Sequence, residues 1–256
     1  MILEARDLTV RFGGVSALAG VSFQVAPGTI TSLIGPNGAG KTTAFNVITG
    51  FQRPTQGTVR HDGEPITGWR PHRVAARGLV RTFQKTSVFG GLTVRENVLT
   101  GLHLRGEVGV AAALLARARV RAEEERLAGE ADRALDFVGL GGRRDELASG
   151  LSYGDQRLLE LAVALAAGPR LLLLDEPASG MTASEKVTVA ALIARIRERG
   201  VTVFLVEHDM RLVMGISDRV LVLNYGRLIA DGDPATVQRD PEVVRAYLGS
   251  GAHAHA

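Results

Sequence analysis

Cysteine is absent from the 256 residues, which removes disulfides, thiol nucleophiles and thiolate metal sites from consideration. Lysine is nearly absent: Lys41, Lys85 and Lys186 stand among 30 basic residues, so a lysine at a motif position is not background. Aromatic residues make up 5% and the net charge is only +3, too little stacking surface and too mild a field for nucleic acid to be the expected partner. No apolar run reaches the roughly 18 residues of a membrane span. Glu4, Arg6 and Asp7 give a charged N-terminus rather than a leader-like one, and a cytosolic setting is expected. What remains is 45% hydrophobic, enough to bury the core of one large α/β domain.

The stretch Gly35 to Thr43 reads Gly-Pro-Asn-Gly-Ala-Gly-Lys-Thr-Thr, and Gly35, Gly40, Lys41 and Thr42 fit G-x-x-x-x-G-K-[ST]. Glycines let successive N–H groups turn toward one anion, Lys41 can reach outer phosphates, and the Thr42 hydroxyl can ligate Mg²⁺. Pro36, Asn37, Gly38, Ala39 and Thr43 complete the loop. A β-branched run, Thr29 to Ile34, precedes it and a helical run to Thr49 follows, which is the strand, loop, helix order that a phosphate cradle needs.

Strand-like runs at 2–10, 21–25 and 29–34, punctuated by Gly13-Gly14 and Pro27-Gly28, predict an antiparallel entry into the nucleotide core. Short strands are expected at 57–61 and 79–83. From Thr93 to about Ala148 the pattern turns helical, predicting a helical subdomain at about 88–165 inserted in a single domain over 1–248. The mixed charges of Arg117 to Arg133 read as a solvated helix face rather than a nucleic-acid patch. Alternating helices and strands return from Gly154 to Ala230, with continuous apolar strands at 171–174 and 203–206, as parallel strands covered on both faces require. A helix near 241–248 precedes a tail, 249–256, expected to be flexible; its His253 and His255 read as loose-end residues rather than a metal site.

Leu171 to Leu174 run into Asp175-Glu176-Pro177, placing two carboxylates at the carboxyl end of a buried strand beside the phosphate loop; one can serve Mg²⁺ and the other can orient water. His208 leaves the next strand and Gln84 follows an earlier one, each at the end where ligands meet such sheets. Leu151 to Gln156 opens a long helix, with Ser152 and Asp155 at capping-box spacing. Its serine and the adjacent Gly154 suit either an anion site or a plain helix cap.

In this order, Gly35 to Thr42, Gln84, Leu151 to Gln156, Leu171 to Glu176 and His208 resemble the Walker A, Q-loop, signature, Walker B and H-loop of an ABC-type ATPase. The segments Arg81-Thr-Phe-Gln, Glu207-His-Asp-Met, Val213-Met-Gly-Ile-Ser-Asp-Arg and Arg245-Ala-Tyr-Leu-Gly further resemble the ATP-binding subunit of high-affinity branched-chain amino-acid importers; amide and urea importers share much of the pattern. The resemblance implies a P-loop NTPase α/β core with an antiparallel β subdomain and an inserted helical subdomain. It implies a head-to-tail dimer with an identical or homologous subunit, holding two ATP with Mg²⁺ at the cytoplasmic face of the membrane. That dimer would drive integral membrane permeases served indirectly by an extracytoplasmic solute-binding protein.

By position, Lys41 and the loop bind phosphates; Thr42, Gln84 and Asp175 serve Mg²⁺; Glu176 polarises water; His208 contacts the γ-phosphate; Ser152 and Gly154 reach the opposite subunit's ATP. Phe12 matches an adenine-stacking position, and a partly buried strand-end phenylalanine is the plain alternative. Asp155 stands where the family commonly has glutamine, and its carboxylate is expected to turn to the Ser152 backbone or an arginine such as Arg157. Thr182 stands where the family usually has aspartate or asparagine. Phe89, with Val88 and Leu92, either touches the permease or packs the helical subdomain. The rival reading, a soluble ABC ATPase acting on nucleic acid or ribosomes, is disfavoured because such chains usually carry a second cassette or a long coiled coil.

Overall fold

The computed structural model describes residues 1–82, 88–102 and 117–249, with the side chains of 117–120 and 248–249 left out. Gln84 and the tail histidines lie outside the described residues. The chain forms two compact units, one of residues 1–81 and 170–256, the other of residues 82–169.

The first unit holds two sheets. β1 (Leu3–Phe12) and β2 (Val15–Val25) form an antiparallel pair, joined by β4 (Gln56–His61) and the short β5 (Glu64–Pro65) in the order β2-β1-β4-β5. The second sheet orders β10-β9-β3-β8-β7-β6, built from β3 (Ile30–Ile34), β6 (Leu79–Arg81), β7 (Leu171–Asp175), β8 (Thr202–Val206), β9 (Arg219–Asn224) and β10 (Arg227–Gly232). All its pairings are parallel except β9 with β10. Leu171 to Leu174 and Val203 to Val206 are buried throughout, so their unbroken apolar runs do mark strands covered on both faces. Phe204 joins the sheets, its ring 5.1 Å from that of Phe45 and 5.5 Å from that of Phe23. Phe45 lies on α1 (Lys41–Ile48), which packs in the same core.

β2 starts six residues earlier than the sequence suggests. Residues 15–20 carry little apolar alternation, and pairing with β1 through repeated register shifts holds them in the sheet instead. The short α2 (Pro71–Ala75) was also unforeseen.

In the second unit, α3 (Val94–Gly101), α4 (Arg117–Val138) and α5 (Tyr153–Ala166) bury Val98, Leu102, Ala131, Leu135, Leu159 and Ala162. Thr93 and Glu96 close a full capping box on α3. In the first unit the chain continues with α6 (Ala183–Glu198), α7 (Met210–Ile216), α8 (Pro234–Arg239) and α9 (Pro241–Gly249). Among the described residues, no helix is long and apolar enough to cross a membrane.

Candidate functional site

The loop after β3 keeps its shape through two glycines. Gly35 has φ 149°, and a Cβ there would run into the Leu223 carbonyl; at Gly40, φ 104°, it would stand 2.5 Å from the Ala17 carbonyl oxygen. α1 begins at once, with no side-chain cap and no acidic residue in its first turn, leaving the positive end of its dipole suited to an anion. Asn37, Gly38 and Thr42 are exposed, Pro36, Gly40 and Thr43 half-buried, and Gly35 and Ala39 buried.

Lys41 folds over this loop and donates from Nζ to the carbonyls of Gly35 at 2.7 Å and Pro36 at 2.9 Å. Burial lowers its pKa, while the charges of Glu176 and Asp175 act in the opposite sense. Gly35 also donates its N–H to the Tyr247 phenol of α9, which burial pushes up to about 12. Tyr247 lies in a quoted segment but was given no place at the site, because nothing in that segment shows that the phenol reaches Gly35.

The carboxylate pair does not sit on the strand beside the loop. β8 intervenes between β3 and β7, so the end of the His208 strand lies between the loop and Asp175-Glu176. Register aligns these ends: Val206 pairs with Leu33 on one side and Asp175 on the other. His208 Nε2 then meets Glu176 Oε1 at 2.7 Å. Glu176 adopts φ 52°, unfavourable for a residue with a Cβ, and its N–H donates to the Val206 carbonyl at 2.8 Å.

Asp175 is buried, and its Oδ2 accepts from Arg81 Nη2 at 2.7 Å, with both side chains about 5–6% exposed. Arg81 also donates to Asn46 Oδ1 at 2.7 Å and lies over the Phe45 ring. Arg81 belonged to a quoted segment, yet nothing in that segment announced a partner 94 residues away. Glu207, equally unassigned, is 3% exposed and accepts backbone N–H groups from both neighbouring loops.

The site fits a nucleotide with Mg²⁺. Mg²⁺ takes one or two protein oxygens beside phosphates and water, and the Thr42 hydroxyl and Asp175 carboxylate are hard oxygen donors of that kind.

Phe12 ends β1 and is 53% exposed, in the hairpin whose second strand meets the loop at Ala17.

Ser152 and Gly154 belong to the second unit. Ser152 caps α5, accepting from the Asp155 N–H at 3.1 Å. The Asp155 carboxylate pairs with Arg143 at 2.7 Å and accepts from the Ser152 hydroxyl at 2.8 Å. The arginine that meets Asp155 is thus Arg143 rather than Arg157, which is engaged by Glu160 and Tyr153, because the helix places Glu160 one turn along. Thr182 caps α6 and forms a capping box with Glu185. Phe89 is exposed, while its backbone is bracketed by the Asn97 side chain at 2.8 and 3.1 Å.

A strand, glycine loop and uncapped helix at the centre of a parallel sheet, with two carboxylates and a histidine at neighbouring strand ends, define a P-loop nucleotide-binding protein. The family model described as ABC transporter matches residues 18–179, and one described as branched-chain amino acid ATP-binding cassette transporter matches residues 227–253. The chain belongs to the ABC transporter family of ATP-binding cassettes.

It is 45% identical to the high-affinity branched-chain amino acid transport ATP-binding protein BraF of Pseudomonas aeruginosa, over 97% of this chain and 98% of that one. Identity to LivG of Escherichia coli, which bears the same description, is 42% over the same shares. A crystal structure of an ABC-transporter ATP-binding cassette in its ADP conformation superposes with a TM-score of 0.85 at 33% identity, covering 97% of this chain and 98% of that chain. A nucleotide-free cassette gives 0.84 at 32%, covering 96% and 98%.

Proposed function

We propose that this chain is the ATP-hydrolysing subunit of an importer for branched-chain amino acids, acting at the cytoplasmic face of the membrane. The observation that carries the catalytic part is the Glu176–His208 contact at the strand ends beside the Lys41 loop. The N–H groups of the loop and of α1 hold the nucleotide phosphates, and Lys41 exchanges its two loop carbonyls for phosphate oxygens, a stronger charge-assisted partner. Thr42 and Asp175, with Gln84, would hold Mg²⁺, which would supply charge neutralisation at the phosphates. Glu176 accepts the proton of the attacking water, and His208 orients Glu176 and meets the γ-phosphate. Phe12 offers an exposed ring to the adenine.

Ser152 and Gly154 open a capped helix whose N-terminus suits the phosphates of a second subunit's ATP in a head-to-tail dimer. Phe89, held out by Asn97, offers an apolar contact to a permease. The substrate assignment rests on the likeness to BraF and LivG and on the C-terminal family segment.

The test is uptake. Cells lacking this chain should lose high-affinity import of labelled leucine, isoleucine and valine, and the wild-type chain should restore it while Lys41→Ala does not. Normal leucine uptake with lost amide or urea uptake would overturn the substrate assignment.

A further inference from the structure

Glu207 directly follows β8, one residue before His208, and is almost wholly buried, at 3% exposure. A carboxylate there is tolerated only if its oxygens are well satisfied, and they accept from two separate loops. Oε1 accepts the N–H of Ala178 at 2.8 Å, two residues beyond Glu176. Oε2 accepts the N–H of His208 at 2.9 Å and that of Asp209 at 3.4 Å.

We propose that Glu207 is a positioning residue that holds the Glu176 and His208 loops at the separation their 2.7 Å contact requires. This rests on the reading of Glu176 as the residue that accepts the water's proton. Glu176 occupies a left-handed conformation at φ 52°, which persists only where its surroundings over-determine it. Two pins do so here. The Val206 carbonyl accepts the Glu176 N–H at 2.8 Å, and the residue just past the end of β8, Glu207, fixes Ala178. With the second pin gone, the loop can relax toward an ordinary backbone conformation and carry the Glu176 carboxylate off the imidazole.

The chemistry also explains a glutamate. Glutamine has one accepting oxygen and one donating NH₂, so whichever way its amide turns, one loop faces a donor with a donor. Aspartate keeps both oxygens but loses about 1.5 Å of reach, enough to give up one of the two loops.

The experiment compares Glu207→Gln, Glu207→Asp, Glu176→Gln and wild type as purified chains, measuring single-turnover ATP hydrolysis and ATP Kd. Expected is a tenfold or greater fall in hydrolysis rate for both Glu207 variants, with Kd within twofold of wild type. A rate within twofold of wild type in either variant overturns the proposal. So does a parallel loss of ATP binding in both, which assigns Glu207 to the scaffold alone. Glu176→Gln separates the two levels. If it hydrolyses at the wild-type rate, the reading of Glu176 fails; if it is inactive while the Glu207 variants are not, only this inference fails.

Discussion

The guanidinium of Arg81 ties β6 to β7 and α1 at once, through Asp175, Asn46 and Thr49. Removing one partner of so buried a pair costs about 3–5 kcal/mol. Arg81→Met should therefore lower the unfolding free energy in urea by about that amount, and a loss under 1 kcal/mol would contradict the pair's importance. Legibility at this scale divides by what a residue encodes. Gly35, Gly40, Lys41 and Thr42 are readable because their spacing is itself the backbone geometry and chemistry of the loop. Arg81, Glu207 and Tyr247 are not readable, because their partners are brought near only by strand order and helix docking.

At the scale of elements, several helices start on side-chain caps. Thr93 with Glu96, Thr182 with Glu185, Asp209 and Asp233 each accept N–H groups of a first turn. Hydrogen bonds to Thr93 lower the Glu96 pKa, those to Thr182 lower that of Glu185, Lys186 and α7 backbone N–H groups lower that of Asp209, and Thr236 lowers that of Asp233. Folded values below the unfolded ones mean stability that is present above about pH 4 and lost as pH falls through the folded values. Thermal melting should thus be flat from pH 7 to 5 and fall steeply below about 4; a fall already complete at pH 5 would contradict this.

Ser152→Ala removes the cap of α5 and should cost about 1 kcal/mol. Asp155→Gln weakens a partly exposed pair with Arg143 and an exposed contact with the Ser152 hydroxyl, and should cost under about 1 kcal/mol. Urea unfolding of both variants checks the order. The helices and parallel strands were legible from apolar periodicity, whereas the first half of β2 was not, since pairing rather than pattern makes it a strand.

For the whole molecule, the order β3, β8, β7 matters most, because it turns three motifs far apart in sequence into adjacent strand ends. The sequence pointed to each motif and to the fold class. It could not show that β8 lies between loop and carboxylates, because strand order is set by crossovers rather than by local pattern. That order sets the end of β8, and with it His208, between the Lys41 loop and Glu176.

The most direct test is therefore a single comparison of bound and hydrolysed ATP in wild type and Glu176→Gln. The variant keeps the side chain's size but not its basicity. It should bind ATP with a Kd within about threefold of wild type while hydrolysing it at least a hundredfold more slowly, a barrier increase of about 2.7 kcal/mol. Hydrolysis at a rate close to wild type, with ATP bound normally, would contradict the account.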